Sequence, residues 1–211
     1  MEPDAVEIRV VGCLIEKQRT TPDVYPLTLN ALRLACNQST NRDPVVEYDE
    51  NTIRSGIERL VQRKWATLAS WSNRRSMKYR HTLDGALGLS DPEISLLAVL
   101  MLRGAQTQGE LKTRTERLHL FGDMRELGGT LGTLIERRLV TRLDRRPGQR
   151  EERYAHLLGE GVDDEEEAAP LPSQPAPQPS LEEDGDRIAR IERQLAELRA
   201  EIQALREELG A

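Results

Sequence analysis

The chain has 211 residues, of which 37% are hydrophobic, 31% charged and only 3% aromatic, so its core must be aliphatic, a composition that favours helices. No apolar run approaches the ~20 residues that a membrane-spanning helix needs, and the charged stretch 1–9 is unlike a signal peptide, so we expect a soluble cytoplasmic protein with no membrane partner. The net charge of −6 divides unevenly, because residues 1–159 carry 25 basic and 21 acidic side chains, whereas residues 160–211 carry 5 and 15.

The sequence carries no pattern typical of a catalytic or metal site. The motifs GxxxxGK, HExxH, GxSxG and CxxC are all missing. Cys13 and Cys36 lie in apolar or helical stretches, and we expect buried free thiols there. Three histidines lack ligand spacing and are interpreted as surface or strand-end residues: His81, His119 and His156. We therefore predict no enzyme, no metal and no cofactor.

An internal repeat divides the body of the chain into two similar parts. The stretch 57–67 aligns with 131–141, and a basic residue followed by Tyr-x-His recurs near the end of each copy. A Glu-Ile pair also precedes an apolar run at the front of each copy. The repeat predicts two tandem domains of one fold, at 1–85 and 86–159.

In the first copy, hydrophobic periodicity predicts three helices followed by a two-stranded hairpin. The first helix covers about 4–17, the second begins near Pro26, and Asp49 caps the third. The hairpin strands cover 65–71 and 76–82, around a polar tip. This order is typical of a winged helix-turn-helix, whose third helix enters the major groove of DNA.

A polar motif separates the second and third helices of the first copy. Its side chains offer a hydrogen-bonding site for phosphate, a base or a partner peptide. The alternative, a loop stabilised by its own Asx and Ser/Thr turns, is equally compatible with these residue types. The motif residues are Asn37, Gln38, Thr40, Asn41 and Arg42.

The second copy repeats the same order. Thr107 and Glu110 form a capping box for its second helix, and Asp123 opens its third. Its hairpin strands cover 139–144 and 151–157. The predicted fold class is therefore mainly α with small β hairpins, built as two tandem winged helix-turn-helix domains.

Basic hairpins and a polar third helix indicate contacts with duplex DNA. Charged hairpin tips that are merely solvated are the alternative. In the second copy, Gly128, Gly129 and Gly132 lower the helix propensity and argue against base contacts there. The candidate DNA-binding residues are Asn51, Arg54, Ser55, Arg74, Arg75, Lys78, Arg145, Arg146 and Arg150.

Two further segments follow the second copy. Residues 160–186 combine an acidic run with five prolines and predict a disordered, extended linker. Within 187–210, isoleucine and leucine recur at alternating spacings of three and four, the heptad pattern of a coiled-coil helix. We expect this helix to form a homodimer in either orientation. The alternative is that its apolar stripe folds back onto the body of the same chain.

The sequence also resembles the YceH family of bacterial proteins over most of residues 5–158. The resemblance implies two winged-helix domains, often a C-terminal coiled-coil-like helix, and a bacterial cytoplasmic location, and it supplies no activity or ligand. This chain has Gln108 where the family commonly has proline. The motifs that carry the resemblance are Glu16-Lys17, Thr20-Thr21-Pro22, Tyr25-Pro26-Leu27, Asn30, 35–38, 40–42, Pro44-Val45, 103–107 and Gly109-Glu110-Leu111.

Together these features predict a dimeric tandem winged-helix protein that binds DNA as a transcriptional regulator. The alternative is an adaptor that uses its winged helices for contacts with a protein partner. The excess of four positive charges over residues 1–159 is modest for a nucleic-acid-binding protein, so the adaptor hypothesis stays open.

Overall fold

The computed structural model describes residues 2–69, 77–144 and 151–159, all within one compact unit. Within these residues, no helix is both long and apolar enough to cross a membrane. The predicted linker, the C-terminal helix and the hairpin-tip arginines Arg74, Arg75, Arg145, Arg146 and Arg150 lie outside the described residues. The helices are α1 (Ala5–Thr20), α2 (Leu29–Cys36), α3 (Glu50–Gln62), α4 (Leu83–Leu87), α5 (Asp91–Arg103), α6 (Gln108–Thr115) and α7 (Met124–Glu136), and the strands are β1 (Leu27–Thr28), β2 (Ala66–Ala69), β3 (Lys78–His81), β4 (Val140–Leu143) and β5 (Arg153–His156).

The described chain is mainly helical with small antiparallel sheets, as predicted. Strands β1, β3 and β2 form one sheet in that order, and β4 pairs with β5 in the other. The backbone of Gln106 bridges Tyr154 of β5, in the place where β1 joins the first sheet. The order of three helices and a hairpin therefore occurs twice, with α4 as an additional short helix between the two copies.

Helix starts follow the capping residues of the sequence. The carboxylate of Asp49 accepts from the Thr52 N–H at 2.7 Å, and Thr107 and Glu110 form the predicted capping box. The second helix starts later than predicted, at Leu29 instead of near Pro26, because the hydroxyl of Thr28 accepts from the backbone of its first turn. Leu27 and Thr28 belong to β1, so α2 begins only after them.

One hydrophobic core joins the two copies. Helices α1 and α5 pack against each other at its centre, and each is buried on almost every side. The two helices approach closely at Gly12, since a Cβ at this position would come within 3.0 Å of Leu102 Cδ2. Cys13 and Cys36 are buried free thiols in this core, as predicted.

The same ion pair fixes the third helix against the first in both copies. Arg63 Nε donates to Glu7 at 2.8 Å, and Arg137 Nη1 donates to Glu93 at 3.0 Å. Burial raises the pKa of each carboxyl, but hydrogen bonds outweigh it and leave both values lowered. The two copies therefore share this ion pair as well as their sequence pattern.

The interpretation of the histidines holds only in part. His81 ends β3 as predicted, but it is only 5% exposed, and its Nε2 lies 2.5 Å from the amide oxygen of Gln18. Burial lowers the pKa of His81 to about 4, with Arg19 acting in the same direction. The burial of His81 was not predicted, because it comes from the packing of β3 under α1, which no local pattern around His81 reveals. No group of metal-binding side chains occurs within the described residues.

We expect the protein to lose stability as the pH falls from about 6.5 towards 4. In this pH range the histidine of the unfolded chain, with a pKa of about 6.5, binds a proton, whereas His81 of the folded chain stays neutral. Lowering the pH therefore favours the unfolded state. His81→Gln should reduce the loss between pH 7.5 and pH 5 by about 2 kcal/mol, as measured by urea unfolding at both pH values. His156, whose pKa burial also lowers to about 4, should account for a further part. Identical pH dependence in the variant and the parent would contradict this assignment.

Candidate functional site

Helix α3 has one buried face and one exposed face. Ile53, Ile57 and Leu60 point into the core and are fully buried. The exposed face carries four polar side chains at helical spacing of four, three and four residues: Asn51, Ser55, Glu58 and Gln62. The cap at Asp49 and the apolar stripe thus orient α3 with its amide and hydroxyl groups towards solvent, as required for contacts with base edges.

Arg54 lies at the edge of this face. Its side chain is partly exposed, and its Nη2 donates to the Glu50 carboxylate at 2.6 Å. Both residues line an open cleft of about 370 Å³ between the first turns of α2 and α3 and strand β3. Lys78 lies at the start of β3, opposite Thr28 and Ala69 in the sheet register. Of the described candidates, Arg54 therefore lines the cleft, Asn51 and Ser55 lie on the exposed face of the same helix, and Lys78 lies next to the cleft-lining Met77 and Tyr79.

The second copy lacks these side chains on the corresponding helix. By the register of the repeat, Gly128, Gly129 and Gly132 of α7 occupy the positions of Arg54, Ser55 and Glu58. A Cβ at any of the three glycines would meet no atom within 4 Å, so this face is smooth and open. Helix α7 forms despite its glycines because Leu127, Leu131 and Leu134 supply a buried apolar stripe.

The polar motif is held in place largely by hydrogen bonds inside the protein. The Arg42 guanidinium is fully buried and binds Glu16 through two hydrogen bonds, of 3.2 and 2.6 Å. It also donates to the carbonyls of Ala35 and Asn41 and to the side chain of Gln38. Burial lowers the pKa of Arg42, but the bond to Glu16 outweighs it and leaves the value raised, so this arginine is charged in the core.

The remaining motif residues divide between internal bonds and the surface. The Asn37 amide exchanges two hydrogen bonds with the backbone of Tyr48, of 2.8 and 2.9 Å, which closes the loop. Asn41 adopts a φ of +60°, a conformation that asparagine tolerates better than most residues, and its side-chain oxygen accepts from Arg103. Thr40 is exposed. The loop therefore holds itself in place and presents only its tip to solvent.

Sequence reasoning missed the residues that anchor this loop. Glu16 is only 7% exposed and ends an otherwise apolar run of α1, and Arg9 donates to the Pro44 carbonyl at 2.7 Å. A charged residue inside an apolar helical run is a usable signal, because it requires a buried partner. The partner itself, 26 residues away, is not deducible from spacing.

Comparison with known proteins places this chain among bacterial relatives. Residues 4–149 match the family model described as "Protein of unknown function, DUF480". The chain is 46% identical to a UPF0502 protein of Pelobacter propionicus, over 95% of this chain and 91% of that protein. It is 50% identical to a UPF0502 protein of Azotobacter vinelandii, over 82% of this chain and 77% of that protein. The chain is 42% identical to a UPF0502 protein of Serratia proteamaculans, over 98% of this chain and 96% of that protein.

Proposed function

Because this chain belongs to the bacterial DUF480 family, a family of unknown function, we propose from its own geometry that it binds duplex DNA as a tandem winged-helix regulator. The observation that carries this proposal is the exposed polar face of α3, with Arg54 at its edge and the β2–β3 hairpin beside it. We also infer that the YceH resemblance refers to this same family, since its first motif, at 16–45, lies inside the matched range.

In this proposal α3 enters the major groove, and the hairpin lies over the phosphate backbone. Asn51 and Arg54 belong to the residue types that form paired hydrogen bonds with adenine and guanine, respectively. Lys78 and the arginines of the hairpin tips, Arg74 and Arg75, supply phosphate contacts. Base contacts come from the first copy alone, because the corresponding face of α7 carries glycine. The C-terminal helix at 187–210 dimerises the protein in the bacterial cytoplasm and so pairs two such domains.

The test is binding to duplexes selected from a random library, measured by fluorescence anisotropy over a range of salt concentrations. With about six phosphate contacts, the logarithm of the binding constant should fall with log salt at a slope of about −5. Arg54→Ala should weaken the selected site about tenfold and random DNA much less, since a base contact is lost. Arg74→Ala with Arg75→Ala should weaken both alike and reduce the slope.

Arg125→Ala is the matched control, because Arg125 is exposed on the corresponding helix of the second copy. It should leave the preference for the selected site unchanged. No duplex binding at low salt would contradict the DNA proposal as a whole. An equal loss of site preference in both variants would contradict the assignment of base contacts to the first copy.

The adaptor is the second candidate, and the smooth face of α7 favours it. Without side chains at Gly128, Gly129 and Gly132, another protein can approach the α7 backbone closely, as at tightly packed helix pairs. Exposed Met124 and Ile135 add apolar surface at either end of the helix. If the library yields no duplex, this face becomes the primary candidate for function.

A further inference from the structure

The polar loop brings two arginines together at one carboxylate. Both oxygens of Glu16 already bind Arg42, at 3.2 and 2.6 Å. Arg117, which follows α6 in the second copy, has its Nη2 3.9 Å from the same carboxylate, and its side chain is 58% exposed. Glu16 therefore compensates the buried arginine, and the positive charge of Arg117 is left largely uncompensated.

Arg103, at the end of α5, is a third arginine beside the polar loop. Its Nη2 donates to the side-chain oxygen of Asn41, a neutral group. Burial lowers the pKa of Arg103, and repulsion from Arg114 and Arg117 lowers it further. Arg103 is thus a half-buried cation beside three other arginines, Arg42, Arg114 and Arg117, with Glu16 as the nearby opposing charge, so a further anion would stabilise it.

The nearby carboxylate of Glu110 is shared in the same way. Arg114 approaches it at 3.4 Å and Arg153 at 3.3 Å. Within these contacts of the described residues, four guanidinium groups share two carboxylates and a fifth, that of Arg103, contacts neither, which leaves an excess of three positive charges. The five are Arg42, Arg103, Arg114, Arg117 and Arg153.

We propose that Arg103 and Arg117 form a binding site for a phosphate-type oxyanion beside the polar loop. The planar donors of arginine match the oxygens of a phosphate in pairs, and a dianion offsets more of the excess charge than a carboxylate does. The site is open to solvent through Arg117, and the exposed loop tip at Ser39 and Thr40 lies within the polar motif itself. This site is separate from the exposed face of α3 and does not depend on the proposed reading of bases.

The phosphate has two possible sources, the backbone of a nucleic acid or a small phosphorylated molecule. Both present the same oxyanion to the arginines, so the structure assigns the chemistry that they share. The two sources differ in what the arginines contribute to DNA affinity, and this difference separates them experimentally.

The first experiment is calorimetric titration of the full chain with inorganic phosphate at constant ionic strength. Arg117→Gln should weaken binding about tenfold, because one charge-assisted hydrogen bond is lost. The double variant Arg103→Gln with Arg117→Gln should abolish it. Arg142→Gln is the matched control, since the Arg142 side chain is 62% exposed and contacts the carboxylate of Glu152 at 3.4 Å. It should bind phosphate as the parent does.

Two results would overturn the site. One is an equal loss of phosphate affinity in Arg117→Gln and Arg142→Gln, which would indicate a general charge effect. The other is no detectable phosphate binding by the parent protein.

The second experiment compares the same variants on duplex DNA. If the phosphate belongs to DNA, Arg117→Gln should make the salt slope about one unit shallower, whereas Arg142→Gln should not. If it belongs to a small molecule, both variants should bind DNA like the parent. Failure of the parent to bind DNA would contradict the proposed function while leaving the phosphate titration intact, so the two proposals fail separately.

Discussion

Arg42→Ala should lower the free energy of unfolding by about 3–5 kcal/mol, the largest effect that we expect from a single substitution in this protein. The change leaves the Glu16 carboxylate buried without its partner, and it removes donors from the carbonyls of Ala35 and Asn41. Each loss carries a desolvation penalty that water cannot relieve at a buried position. Urea unfolding of the parent and the variant at pH 7.5 measures the difference.

Two controls distinguish the stability lost by breaking the buried ion pair from the stability lost by removing any arginine. Arg142→Ala removes an exposed arginine that contacts Glu152 at 3.4 Å, and it should cost about 0.5 kcal/mol or less. Replacing Arg42 by Met together with Glu16 by Leu should recover much of the stability, because no unpaired charge then remains in the core. Similar losses for Arg42→Ala and Arg142→Ala would show that the pair is not the anchor of the loop.

Gly12→Leu should destabilise the protein by about 3 kcal/mol by forcing α1 away from α5. Even a Cβ at Gly12 would lie 3.0 Å from Leu102 Cδ2 and 3.4 Å from Met101 Cβ, and leucine adds three further carbons in the same direction. The interface between the two copies has no room to accept them, since residues on both helices are fully buried. Thermal and urea unfolding, followed by circular dichroism, measure the loss.

Gly132→Leu is the matched control, because this glycine also lies inside a helix but has no atom within 4 Å of an added Cβ. Its stability should remain equal to that of the parent or rise by up to about 1 kcal/mol, since glycine is a poor helix former. Because one core joins the copies, the Gly12 variant should weaken both of them together. Two equal losses, at Gly12 and at Gly132, would contradict the close approach of α1 and α5.

Much of the fold follows from local sequence signals. The repeat predicted the same order of elements twice, and the caps at Asp49 and at Thr107 with Glu110 located two helix starts. The apolar stripe of α3 also identified which of its side chains face solvent. These features were predictable because helix caps, strand pairs across a short turn and amphipathic faces each depend on residues only a few positions apart.

The candidate sites were less predictable than the helices. The exposed face of α3 could be read from its own period, whereas the role of the polar motif was left open between a binding site and a self-stabilised loop. The structure shows that Asn37, Gln38 and Arg42 are bound internally, to Tyr48, Arg42 and Glu16 respectively. The side-chain oxygen of Asn41 in that loop then accepts from Arg103 of the other copy.

Sequence by itself therefore determined the order of the main helices and hairpin strands, the repeat and the outward face of α3, but it missed β1 and α4. Only the tertiary structure decided that Glu16 pairs with Arg42, that His81 is buried against α1, and that α1 and α5 share one core. The physical reason is how far apart along the chain the contacting residues lie. A cap or an amphipathic stripe is complete within one or two turns, whereas these contacts join residues 26 to about 90 positions apart and exist only after the helices have packed.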